Sequence, residues 1–139
     1  MSYAIAAACQ TAVYEQLAND SGLSAIVSGA IYDAVPTGPI DGTIVVIGDE
    51  VAQDWSDQSG GGLSLRLTIS VISDAPGYRT AKEAAGAVSD ALIDAGLSLT
   101  RGRLISLKFL RARARRVRAG QTRRVDLFFR AIVEDDQTN

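Results

Sequence analysis

The first regular pattern in the chain is helical. Ile5, Ala8, Cys9, Ala12, Val13 and Leu17 recur at intervals of three and four, which stacks them on one face of an α-helix. The pattern predicts a helix from about Tyr3 to Ala18, with Ser2 as N-cap and Asn19-Asp20-Ser21-Gly22 as its stop. Leu23 to Val27 has room for another helical turn. Ile31-Tyr32-Asp33 suits a short strand before the rigid loop Pro36-Thr37-Gly38-Pro39. Thr43 to Ile47 is an unbroken β-branched run, the mark of a central strand covered on both faces.

Glu50 to Gly62 then predicts a long polar loop ending in three glycines, with Trp55 as its one large apolar group. Leu63 to Ile72 alternates cleanly. Leu63, Leu65, Leu67, Ile69 and Val71 face one way, and Ser64, Arg66, Thr68 and Ser70 the other. A second helix follows, opened by Asp74-Ala75-Pro76, with Thr80 and Glu83 as a capping box and Gly96 as its end. Its inner face is Ala81, Ala84, Ala85, Val88, Leu92 and Ala95, small enough for close approach to a sheet.

The last third predicts two strands. From Arg123 to Glu134, Val125, Leu127, Phe129, Ala131 and Val133 alternate with Arg124, Asp126, Phe128, Arg130 and Ile132. Leu104 to Val117 is strand-like too, but its apolar side changes partway. Ile105, Leu107 and Phe109 share one side, while Leu110, Ala112 and Ala114 continue on the other, beside a row of arginines. With a side-chain period of two, that switch requires a bulge or a strand that leaves its sheet. Ala119-Gly120-Gln121 suits the turn between the strands. The expected fold is α+β: a mainly antiparallel sheet with two helices packed on one face and a long C-terminal β-hairpin. Residues 1–139 are expected to form a single domain, with 135–139 as a frayed tail.

Charge changes this picture most. Residues 101–139 hold eleven basic residues against four acids, a net +7, while residues 1–100 hold three against twelve, a net −9. The formal total of −2 therefore conceals a strongly polar molecule, and such asymmetry points to partners. Arg111, Arg113, Arg115, Arg116, Arg118, Arg123 and Arg124 are the candidate contacts, since the planar guanidinium suits carboxylate and phosphate. One reading is a solvated edge strand guarded by charge. Another is a nucleic-acid-binding module, although a row of exposed aromatics for base stacking is missing. A third is contact with the acidic part of another copy or another protein, which could close head to tail into a ring.

Catalytic chemistry finds little support. The chain has no histidine, which removes the commonest general base and metal ligand. Cys9 lies on the inner stripe of the first helix, as a core residue would. Asp49, Glu50, Asp54 and Asp57 match no calcium-loop spacing. The three glycines precede a strand, not the helix a phosphate loop needs. Asp54, Trp55 and Asp57 are therefore candidates for a loop contact, with Trp55 either a plug under the loop or an anchor on a neighbour. No catalytic, metal or cofactor residues are expected. One cysteine excludes an internal disulfide, and no apolar run approaches the roughly 20 residues of a membrane span.

Several segments, in order, carry a family resemblance. They are Tyr14 and Leu17, Ile31-Tyr32-Asp33-Ala34-Val35-Pro36, Asp54-Trp55-Ser56-Asp57, and the strand Leu67 to Ile72 running into Gly77, Ala81-Lys82 and Ala91-Leu92. Leu104-Ile105-Ser106-Leu107 and Arg123-Arg124-Val125-Asp126-Leu127-Phe128-Phe129-Arg130 complete the set. Together they resemble small tail-completion or tail-terminator proteins of long-tailed bacteriophages and gene transfer agents. The resemblance implies a non-enzymatic homo-oligomer, usually a ring of six, assembled in the bacterial cytoplasm and carried in the particle's tail. Its implied partners are the tail tube protein and the neck or head-tail connector, with DNA passing through the lumen. A neck stopper or another tail-joining factor is the nearest alternative. The resemblance brings no functional residues of its own.

Overall fold

The computed structural model describes residues 3–56, 60–93, 95–117 and 122–135. Their order is α1 (Ile5–Ala18), α2 (Ser21–Val27), β1 (Ile31–Tyr32), β2 (Thr43–Asp54), β3 (Gly62–Ser73), α3 (Arg79–Leu92), β4 (Arg103–Val117) and β5 (Thr122–Glu134). The strands form one sheet in the order β1-β2-β3-β5-β4. β1 runs parallel to β2, and the other neighbours are antiparallel. The fold is α+β as expected, with three helices among the described residues where the periodicity predicted two.

The main core lies between the helices and one sheet face. Ile5, Cys9, Val13 and Leu17 of α1 meet Ala81, Ala84 and Val88 of α3 and the alternating residues Leu65, Ile69, Val71, Phe129 and Val133. Across the sheet, Ile44, Val46 and Ile72 form a smaller cluster under Ala30 and Ile40, so the β-branched run is covered on both sides. No helix among the described residues is long and apolar enough to cross a membrane.

Five boundaries differ from the sequence pattern. Helix α1 begins at Ile5 after Ala4, without a side-chain cap, and Ser2 lies outside the described residues. Asp20 does more than end α1: its carboxylate accepts from Leu23 N at 2.9 Å and caps α2. The predicted polar loop is partly strand, because Glu50 to Asp54 continue β2 opposite Leu67 to Leu63. Polar residues are tolerated there because β1 pairs only with Val45 and Val46, which leaves this end of β2 an edge. Helix α3 starts at Arg79 without a side-chain cap, since Glu83 accepts from Arg79 Nε at 3.1 Å instead of folding back on Thr80. It stops at Leu92 with Ile93 extended, short of Gly96.

Two bulges resolve the change of sides in β4. Ile105 and Leu110 are spare residues opposite β5, between Leu104 and Ser106 and between Phe109 and Arg111. Each shifts the alternation by one. The apolar side therefore does not cross the sheet: Leu107, Phe109, Ala112 and Ala114 pair with Ala131, Phe129, Leu127 and Val125, all on the helix side. Gly102 makes the tight entry to β4. Its φ is +79°, and an added Cβ would stand 2.5 Å from the Glu134 carbonyl oxygen.

Candidate interaction surface

The parity set by the bulges turns the arginine row onto the helix-free face. Cross-strand register arranges that face in rows. Val51, Arg66, Arg130 and Lys108 form one. Thr68, Phe128 and Arg111 form the next, and Tyr32, Val46, Ser70, Asp126 and Arg113 span all five strands. Ile44, Ile72, Arg124 and Arg115 complete the set. The arginine row is thus part of a charged sheet face. The turn, with Arg118, lies outside the described residues, as does Asp57.

Part of this charge is met internally. Asp126 is 7% exposed. It accepts from Ser70 Oγ at 2.6 Å and Arg124 Nε at 2.8 Å, and lies 3.6 Å from Arg115 Nε. Burial alone would raise its pKa, but the Ser70 and Arg124 hydrogen bonds and the Arg124 and Arg115 charges prevail and hold the carboxyl below its ordinary range. Arg101 grips Asp135 through two 3.0 Å bonds, and Arg103 meets Glu134 at 3.0 Å.

The remainder is uncompensated. Among the described residues no ion pair involves Arg111, Arg113 or Arg116. The guanidinium of Arg111 lies over the Phe128 ring, 4.2 Å from its centroid. Arg66, Arg130 and Lys108 are like charges on adjacent strands, and Arg130 Nε donates to Ser64 Oγ at 3.0 Å. Such juxtaposition costs stability in an isolated sheet. Arg116 and Arg123 turn to the helix side, where Arg123 stacks 5.6 Å from the Tyr78 centroid.

The acids gather toward the opposite edge. Asp33 and Asp49, with Thr68, Ser70 and, from the basic side, Arg124, line a hollow of about 350 Å³ on the helix-free face. On the helix side, a groove of about 610 Å³ runs between α1 and the β1–β2 edge, with Tyr14, Glu15, Ile31, Tyr32, Asp33 and Ile47 in its lining. Glu50 accepts from the Tyr3 hydroxyl at 2.5 Å, and that bond with the Glu50 charge raises the Tyr3 pKa. Among the described residues no cluster of acids, His or Cys suits a metal ion. Asp54 is exposed and accepts from Ser56 Oγ at 2.6 Å. Trp55 is half-exposed, donates its amide to Gly62 O at 2.9 Å and rests its ring near Gly62, so it is no buried plug. Cys9 is buried in the core, and burial with the Glu50 charge lifts its thiol to about 11.

Sequence reasoning missed Arg66, Lys108, Arg130 and Phe128 as members of the basic face. The alternation of β3 and β5 carried the signal, but only strand register joins it to β4.

One sheet thus carries basic residues toward β4 and acids toward β1 and β2, with half-exposed apolar side chains among them. The family model described as tail completion protein gp17 matches residues 11–134, and the chain belongs to that family. It is also similar to a chain in a solved structure described as the virion of a native gene transfer agent particle. That match has 57% identity and a TM-score of 0.89, and covers 96% of this chain and 99% of the other. No curated protein matches the chain.

Proposed function

We propose that this chain is a structural subunit of a phage-like particle, a tail terminator that forms a ring on the end of the tail tube and joins it to the neck. Residues 1–139 act as one domain, about six copies close the ring as the family resemblance implies, and DNA crosses its lumen without sequence readout. The observation that carries the reading is the uncompensated basic face, with Arg111 and Arg113 outside every intrachain ion pair among the described residues and acids collected at the far edge. Charges segregated in this way are satisfied between molecules. Asp54 and Trp55 supply a further contact at the end of the sheet.

The test is particle assembly with the Arg111→Glu, Arg113→Glu double variant. Neither residue supports the core, so the variant folds, and electron microscopy should show separated full heads beside uncapped or overlong tails. Fully joined, active particles would remove the idea. A nucleic-acid module, by contrast, requires the isolated chain to bind duplex DNA with steep salt dependence.

A further inference from the structure

Resting on the ring reading, we infer which surfaces join neighbouring copies: the bulged β4 edge of one subunit seats on the α1–β1–β2 edge of the next. The two surfaces lie at opposite ends of the same sheet, and they are complementary in charge and overlap in level.

The projecting surface is the middle of β4. Phe109 points to the helix side but is 43% exposed, and Leu110 on the adjacent bulge is 41% exposed. Phe109 is nonetheless held firmly, edge-to-face on the fully buried Phe129 at 5.8 Å. A rigid half-buried aromatic beside arginine is the composition of an interface anchor. The receiving surface is the groove of about 610 Å³, lined by the buried Ile31 and Ile47, by Tyr14 and by the acidic Glu15 and Asp33. Among the described residues no basic side chain lines it.

The cross-strand rows put these features in line. On the helix side, the row through Ala112 ends at Ile47 and the row through Ala114 ends at Ile31. On the helix-free face, the row through Arg113 ends at Tyr32, next to Asp33. The row through Arg111 and Thr68 ends beside Gly48 and Asp49, where Thr68 O approaches Gly48. A neighbour displaced sideways along these rows brings Ala112 and Ala114 to Ile47 and Ile31 in the groove, with Leu110 and Phe109 beside it toward Glu50, where the row through Phe109 ends. On the other side it brings Arg111 and Arg113 to Asp49 and Asp33. The charged pairs and the alanine rows meet with no step along the strands, the condition for a head-to-tail contact to close about an axis parallel to them. The occupant of the groove is therefore a second copy of this chain.

Charge reversal and repair tests the pairing. Arg113→Glu alone and Asp33→Arg alone should each lower ring and joined-particle yield by about tenfold or more. Both changes in one chain should restore it, because every contact then carries the swapped pair. A surface that meets the tail tube or neck would not be repaired this way. In a Cys9→Ser background, Leu110→Cys with Thr11→Cys should give disulfide-linked ladders of the chain on oxidation of assembled particles. Undiminished yield in the single reversals would overturn the pairing. So would rings of native mass in which neither repair nor a ladder occurs, and that outcome would leave the ring reading standing. Native protein that closes no ring, with tails of normal length in its absence, would overturn the ring reading itself.

Discussion

Asp126→Asn probes the one buried charge cluster on the basic face. Asparagine keeps the volume and an acceptor for Ser70, but removes the charge facing Arg124 and Arg115. The Arg124 bond is 2.8 Å long to a carboxylate side chain only 10% exposed, and a hydrogen bond to such a group contributes about 1.5–3 kcal/mol. Arg115 is 38% exposed and 3.6 Å away, so solvent screening limits it to about 0.5 kcal/mol. Allowing for the desolvation that opposes both, the substitution should cost about 2–3 kcal/mol near pH 7. Urea unfolding of dilute protein would show this as a midpoint lowered by about 1 M or more. Acid adds a second signature. Because the folded state depresses the Asp126 pKa, its stabilisation is fully present above the unfolded value of about 3.9 and fades as pH falls through the folded one. The gap between native and variant should therefore narrow below about pH 4. A gap under about 0.5 kcal/mol at neutral pH, or one that persists unchanged into acid, would refute this account of the cluster.

Two further outcomes follow from the core and the hairpin. Gly102→Ala forces a Cβ onto the Glu134 carbonyl at positive φ and should cost about 2 kcal/mol or more; an unchanged urea midpoint would show that the entry to β4 has slack. Cys9 should react with thiol reagents near pH 8 only as fast as the protein unfolds, since its thiol is buried and lifted to about 11. Prompt stoichiometric labelling of native protein would contradict that.

The fold was legible wherever one face of an element is fully buried. The alternation of Leu63 to Ile72 and Val125 to Val133 identified both strands, because their buried faces admit only apolar residues. The stripe of α1 did the same and placed Cys9. Glu50 to Asp54 was not legible as strand, because an edge exposes its backbone to water and puts little constraint on side chains. The capping box failed because Arg79 engages Glu83, a competition between partners on neighbouring turns that spacing cannot decide. The arginine row was visible, but its face was not: parity across two bulges depends on which β5 residue each β4 residue meets. The groove was invisible for a related reason, since Tyr14, Ile31 and Ile47 meet only after α1 packs beside the first two strands.

Leu110 makes β4 behave like a message with a two-letter reading frame. Delete that residue, and every position beyond it changes sides: Arg111, Arg113 and Arg115 would turn toward the helices, while Ala112 and Ala114 would come to the open face. A loss of one residue that a surface loop would absorb here inverts the electrostatics of half a strand without altering a single charge in the composition. Lineages of this protein should accordingly vary the arginines one by one far more freely than they vary the length of the segment between Phe109 and Arg116.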